Sequence, residues 1–200
     1  ITADVNGSTV KVKLTPPVDL QQNIDIDVNE SVSGFSGANV GFNAIQAVSL
    51  FNDGDVFVNT GLNGTLAADN DGIQVSKLFG DGNVEVGAEA AINAGAEGIE
   101  VLSLLNDGNI VIGTGTAAPI TAGDDGISAL KYFGDGDVTI EANSAIGAGD
   151  DGITTVGVFS DGNVSIMTGA DAPITAGDDG INTLKLFGDG NVTINADPAL

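Results

Sequence analysis

The residues best suited to chemistry in this sequence are carboxylates that recur beside glycine at two places of a repeated pattern. Members of the first place are Asp53, Asp81, Asp107, Asp135, Asp161 and Asp189. Members of the second place are Asp71, Glu97, Asp125, Asp151 and Asp179. Carboxylate oxygens are preferred ligands of Ca²⁺. Asp-Gly pairs also form tight turns, because Asp bonds to nearby backbone and Gly adopts positive φ. The pattern is therefore compatible with a cation site and with turn chemistry alone.

The second place is the better candidate for calcium, because additional aspartates directly precede three of its members. Stacked carboxylates about 4.8 Å apart repel by roughly 1 kcal/mol per pair even in water, and a bound cation would relieve this. The hypothesis is a calcium ladder formed by Asp124, Asp125, Asp150, Asp151, Asp178 and Asp179. Turn chemistry remains the alternative, since the sequence lacks the EF-hand spacing and the nine-residue repeat of calcium-binding β-rolls.

These carboxylates are spaced by an internal repeat. Equivalent residues lie two positions before each Asp-Gly pair, at Phe51, Phe79, Leu105, Phe133, Phe159 and Phe187. Their spacings alternate between 28 and 26 residues. Apolar residues alternate with variable ones around each Asp-Gly pair, which predicts strands rather than helices. Three strands and three corners in each repeat predict an all-β parallel β-helix (β-solenoid), for which we expect right-handed coiling.

Identical columns of residues would stack directly on one another, one coil apart. The isoleucine column Ile45, Ile73, Ile99, Ile127, Ile153 and Ile181 is predicted to be interior. The phenylalanine column is also predicted to be an interior stack, and Lys77, Lys131 and Lys185 are predicted to lie on the surface. The residues after each Asp-Gly pair are predicted to form a ladder that satisfies the backbone: Asp55, Asn83, Asn109, Asp137, Asn163 and Asn191.

The first 44 residues depart from the repeat. Two strands are predicted there, at 8–15 and around Ile24, Ile26 and Val28, and the stretch from Glu30 to Asn43 reads as irregular. We interpret residues 1–44 as an N-terminal cap or a docking segment with an irregular first coil. Residues 45–200 are predicted to form regular coils whose C-terminal end is uncapped, which suggests end-to-end or lateral self-association.

Composition excludes several classes of function. The 200 residues carry a net charge of −23, with five Lys, no Arg and no His. This disfavours binding to nucleic acid and to anionic lipid, which both require basic residues. There is no apolar run of membrane-spanning length, so we expect no membrane insertion. Polysaccharide-cleaving chemistry requires a cationic base or one local carboxylate cluster, whereas these carboxylates recur in every repeat. We therefore expect no enzymatic activity.

The repeats Gly-Asp-Gly-Asn-Val-Thr-Ile and Ala-Gly-Asp-Asp-Gly-Ile resemble the repetitive β-helical regions of large bacterial surface proteins. These include autotransporter-type passengers, adhesins and related β-strand-repeat proteins. The resemblance covers about residues 45–200 and implies secretion, a location outside the cell or at its surface, and a structural or adhesive role. The expected function is a fibre, a surface layer or an adhesive stalk. The alternatives are a passenger fragment whose binding tip, for a glycan or another surface ligand, lies elsewhere, and a glycan-active enzyme.

Overall fold

The computed structural model describes residues 2–3, 10–14, 23–28, 32–33, 43–62 and 64–197. In these residues the chain forms β-strands joined by turns and bends, without helices. The strands stack into three parallel sheets with one strand of each sheet per coil, so the predicted β-solenoid with three strands per coil is confirmed. The hand of the coil stays a prediction.

Strands are numbered in chain order. Sheet 1 contains β2 (Val10–Leu14), β5 (Ile45–Leu50), β8 (Ile73–Gly80), β11 (Ile99–Asn106), β14 (Ile127–Tyr132), β17 (Ile153–Val158) and β20 (Ile181–Leu186). Sheet 2 contains β1 (Thr2–Ala3), β3 (Ile24–Val28), β6 (Val56–Thr60), β9 (Val84–Ala88), β12 (Ile110–Thr114), β15 (Val138–Ala142), β18 (Val164–Thr168) and β21 (Val192–Ala196). Sheet 3 contains β4 (Val32–Ser33), β7 (Thr65–Ala68), β10 (Ala91–Ala94), β13 (Ile120–Ala122), β16 (Ile146–Ala148) and β19 (Ile174–Thr175).

The strand register reproduces the alternating repeat length. Ile73 pairs with Ile99, 26 residues later, and Ile99 pairs with Ile127, 28 residues later. The same alternation continues through Ile153 to Ile181. Equivalent residues therefore lie directly above one another, as the repeat predicts.

The core is a set of stacked aliphatic columns. The isoleucines of sheet 1 from Ile45 to Ile153 are completely buried, and the inward-facing Val and Ile residues of β6, β9, β12, β15 and β18 are buried beside them. In β21 the equivalent residues Val192 and Ile194 are 43% and 44% exposed, because no coil among the described residues lies beyond β21 to cover them.

Several glycines are required because the coils approach closely at the corners. A Cβ added at Gly126 would lie 2.5 Å from the carbonyl oxygen of Gly152 and would also meet the side chain of Ile146. A Cβ added at Gly113, inside β12, would meet nothing within 4 Å. The two positions are therefore a matched pair for testing corner packing.

The N-terminal segment contributes strands to all three sheets. β2 pairs with β5, β3 pairs with β6, and Val32 pairs with Leu66, each in parallel register. This confirms that Ile24, Ile26 and Val28 align with the second strand of a coil. Most of the stretch predicted to be irregular, 30–43, lies outside the described residues. The interpretation of residues 1–44 as a cap or a docking segment stays a prediction.

Candidate functional site

The structure brings three of the six proposed calcium ligands together at one corner. Carboxylate oxygens of Asp150, Asp151 and Asp178 all lie within 4.8 Å of one another. Asp150 and Asp178 are exposed, whereas Asp151 is buried. Asp124, Asp125 and Asp179 occupy equivalent positions in the stack but do not belong to this cluster of three.

Asp151 is held as an anion by hydrogen bonds from three sides. Asn182 Nδ2 donates to its carboxylate at 2.7 Å, the backbone N–H of Asp179 donates at 2.9 Å, and the Thr154 hydroxyl donates at 3.2 Å. These bonds, the one from Asn182 above all, hold the pKa of Asp151 below its ordinary value. Asp151 can thus supply one fixed, charged oxygen, and the exposed carboxylates of Asp150 and Asp178 can add further oxygens of the kind that Ca²⁺ prefers.

The same column also performs turn chemistry. A carboxylate oxygen of Asp125 accepts a hydrogen bond from the backbone N–H of Asp151 at 3.1 Å, and Asp151 accepts from Asp179 in the same way. Asn43 begins the series by accepting from the N–H of Asp71 at 3.1 Å. These bonds connect successive coils, so the column has a structural role whether or not a cation is bound.

Toward the N-terminus, the same column holds a carboxyl pair that was not among the predicted calcium ligands. Asp71 is only 2% exposed, and its side chain is hydrogen-bonded to that of Glu97. Burial, the hydrogen bond and the negative charges of Glu97 and Glu100 raise the pKa of Asp71 to about 7. The carboxyl group of Asp71 is therefore largely protonated below neutral pH.

The ladder predicted after each Asp-Gly pair is present. The side-chain oxygen at each position accepts the backbone N–H of the equivalent residue one coil later. Asp55 accepts from Asn83 at 2.7 Å, Asn83 accepts from Asn109 at 2.9 Å, and Asn109 accepts from Asp137 at 2.8 Å. The series continues to Asn191. Side-chain hydrogen bonds thus connect successive coils at this corner, in addition to the close backbone packing that glycine allows.

The phenylalanine column is on the outside of the solenoid, so the prediction of an interior stack was wrong. Phe51 is 54% exposed and Phe133 is 46% exposed. Every member of the column, Leu105 included, has a positive φ between 52° and 62°. This left-handed conformation turns the chain at the corner and directs two successive side chains outward. The rings still stack on one another, with centroids 4.6 Å apart for Phe51 and Phe79.

The lysine column is inside, so its predicted surface location was also wrong. Lys77 is completely buried and Lys131 is 1% exposed. Lys131 Nζ donates to the carbonyl oxygens of Asn106 at 2.9 Å and Gly108 at 2.7 Å. Lys77 contacts the corresponding carbonyls of Asn52 and Gly54. Each ammonium group therefore lies beneath the Asp-Gly corner of the preceding coil.

Burial has a measurable consequence for these lysines. Desolvation lowers the pKa of Lys77 from its ordinary value and lowers that of Lys131 to about 8, against the attraction of nearby aspartates. The inward position was readable in the sequence, because Lys77 follows the interior residues Ile73 and Val75 at a spacing of two.

Comparisons of this chain with protein-family models, with curated proteins and with solved structures found no match in any of the three. Among the described residues there is no helix that is long and apolar enough to span a membrane.

Proposed function

We propose that this protein is a non-catalytic structural component outside the cell, a β-solenoid rod that builds a fibre, a surface layer or an adhesive stalk. The observation that carries the proposal is the unbroken repetition of structure along the rod. The strand ladders run through β5 to β21 in one register, and the corner ladders run beside them. A rod of this kind can extend over a long distance, and it exposes the same side chains at regular intervals along its length.

The distribution of carboxylates also supports a structural role. Aspartates at the Asp-Gly corner are exposed in coil after coil, from Asp53 to Asp189, rather than gathered in one cleft. Catalysis of glycan cleavage depends on two carboxyl groups at a defined separation across one bound sugar. The members of this exposed column all lie in similar, solvated environments, which does not separate an acid from a base.

Assembly is the part of the proposal that depends on open surfaces. Near β19 to β21 the interior residues Ile174, Ile181 and Ala196 line a groove that is open to solvent. A further rung of the same pattern would cover these residues, whether it belongs to this chain or to another copy. The location outside the cell and the adhesin-like relationship are inferred from the resemblance of the repeats to bacterial surface proteins.

Electron microscopy of the purified protein, with and without calcium, tests the proposal. We expect ordered filaments or sheets, whose formation calcium promotes if the Asp150, Asp151 and Asp178 cluster binds it. Dispersed single rods under all conditions would instead favour the alternative, a fragment of a secreted adhesin whose binding tip lies elsewhere. Release of reducing ends from acidic polysaccharides would contradict both and indicate an enzyme.

A further inference from the structure

The outward side of sheet 1 is apolar across three adjacent columns. The first column contains Val48, Ser76, Leu102, Leu130, Val156 and Leu184. The second contains Leu50, Leu78, Leu104, Tyr132, Val158 and Leu186. The third is the column Phe51, Phe79, Leu105, Phe133, Phe159 and Phe187. We call these three columns the apolar face. They include one serine and no charged residue, and all their members are half-buried or exposed.

The other two sheets do not share this character. The outward positions of sheet 2 include Glu85 and Glu141, and those of sheet 3 include Asn93 and Thr121. A chain with a net charge of −23 has many acidic residues to distribute, yet none falls on the apolar face. On the same strands the lysines point inward. At these strand positions apolar side chains face outward and ammonium groups face inward, which is the opposite of an ordinary solvated sheet.

The apolar face is large enough to be an interface. Six coils at about 4.8 Å give a height of about 29 Å, and columns two residues apart give a width of at least about 7 Å, to which the rings add. Phe51, Phe133, Phe159 and Phe187 are 46% to 73% exposed. At about 200 Å² per aromatic side chain they alone expose roughly 450 Å². With the two aliphatic columns, the face approaches the ~800 Å² that each partner buries in a standard interface.

The rings are unsuited to stacking against a planar ligand or a sugar. Phe133 and Phe159 stack at 5.1 Å with planes 7° apart, and Phe159 and Phe187 stack at 4.9 Å with planes 16° apart. The rings in each stack therefore cover one another's faces, and their edges form a ridge that Leu105 interrupts between Phe79 and Phe133. A ridge with a fixed repeat fits best against another surface with the same repeat.

We infer that the apolar face binds the apolar face of a second copy of this chain, with the two rods side by side around a two-fold axis. A second copy has the same rise per coil, so contacts made at one coil recur at every coil, as in other face-to-face sheet packings. The uncharged centre buries no unpaired ion. The acidic column that includes Asp53 on one edge, and the polar column that contains Gln74, Glu100 and Ser128 on the other, remain at the rim, in water.

This inference rests on the proposed function for its biological setting and adds the surface through which rods associate laterally. The acidic rims of two copies repel each other, and salt screens this repulsion within a Debye length of about 10 Å at 0.1 M. Association should therefore strengthen as salt concentration rises, which is opposite to the behaviour of an interface held by ion pairs.

Sedimentation velocity of the 200-residue chain tests the inference. Measurements from about 5 to 300 μM protein cover micromolar affinities, and about 0.05 M and 0.5 M NaCl give weak and strong screening. We expect a monomer–dimer equilibrium that shifts towards dimer at high salt. Leu104→Glu, in the central column, should weaken dimerisation at least about tenfold. Val111→Glu is the matched control, because it adds the same charge to the outward side of sheet 2 in the same coil.

A second variant protects the test against misfolding. Phe133→Asn with Phe159→Asn removes two rings without changing charge, and Asn tolerates the left-handed φ of 56° and 52° at these positions. It should melt close to the wild-type temperature and be mainly monomeric. A wild-type protein that is monomeric at every concentration and salt would overturn the inference, as would a dimer that Leu104→Glu and Val111→Glu weaken equally. Filaments that form equally well with Leu104→Glu would overturn it while leaving the proposed function intact.

Discussion

Replacing Lys131 by methionine should change how the stability of the protein depends on pH. Lys131 is buried, and its pKa is lowered from the ordinary 10.5 to about 8. Folding therefore places the ammonium group where its charged form is less stable than it is in water. This penalty is fully present below about pH 8, the folded-state pKa, and disappears as the pH rises through 10.5, the unfolded-state value. Between these limits the unfolded state binds more protons, so the free energy of unfolding should rise with pH.

The size of the effect follows from the two pKa values. The interval between 10.5 and about 8 corresponds to about 3 kcal/mol, at about 1.4 kcal/mol per pKa unit. The measurement is the free energy of unfolding by urea at several pH values from about 7 to 10.5, for wild type and Lys131→Met. Wild-type stability minus variant stability should increase by about 3 kcal/mol over this range. Because the two proteins differ only at position 131, the difference removes the contributions of the titrating groups that they share.

The opposite result would identify a different dominant interaction. Lys131 Nζ donates to two carbonyl oxygens, and such bonds favour the charged form. If the carbonyls outweighed desolvation, the difference between the two proteins would stay flat or fall with rising pH, and the reasoning given above would be refuted. Lys77→Met is an independent repeat, because burial lowers the pKa of Lys77 in the same direction.

Three further predictions concern the corners. Gly126→Ala should reduce the free energy of unfolding by about 1–3 kcal/mol, because its Cβ would meet backbone of the next coil, whereas Gly113→Ala should be neutral or slightly stabilising in the same denaturation experiment. The folded-state pKa of Asp71 is raised, so the free energy of unfolding of wild type should fall as the pH rises from about 4 to about 7. Asp71→Asn should remove this fall and should stabilise the protein by about 2–4 kcal/mol near pH 8. Calcium should raise the melting temperature of wild type but not that of Asp150→Asn with Asp178→Asn, and a wild-type melting temperature that neither calcium nor a chelator changes would remove the calcium hypothesis.

The fold could be predicted from the sequence because the repeat constrains it many times over. Each coil contains the same alternation, and an error in register at one coil would displace the interior columns of the next. The pairing of Ile99 with Ile127, and of Ile120 with Ile146, follows directly from the spacing of those residues. A β-solenoid cannot bury its residues within one coil, so the repeat itself implies stacking.

Predictions failed where alternation is interrupted. Inward positions proceed in steps of two through Ile45, Ala47 and Ser49, and then by three to Asn52, because Phe51 has a φ of 52°. Gly and Asn are the usual residues in this conformation, so an aromatic column gave no indication of a left-handed corner. Once that step is missed, the hydrophobicity of phenylalanine wrongly favours an interior position.

The candidate site was predictable only as a column. Sequence spacing places Asp150 one coil before Asp178, but the closeness of their carboxylates to that of Asp151 depends on side-chain directions at the corner. The carboxyl pair of Asp71 and Glu97 depends in addition on burial, which differs between coils although the residues occupy equivalent positions. A repeat therefore predicts which residues are neighbours and leaves open which of them titrate or bind.

The two-coil period of the lysines has an electrostatic explanation. Lys77, Lys131 and Lys185 occupy alternate coils, and Ser103 and Gly157 fill the same inward column between them. A lysine in every coil would bring buried ammonium groups to about 4.8 Å, where they would repel by about 3–4 kcal/mol at an effective dielectric constant of 20. Alternation doubles the distance and halves this repulsion. One ammonium group for every two coils therefore limits the repulsion between buried charges. Ser103 and Gly157 contribute to this by separating the lysines within the column.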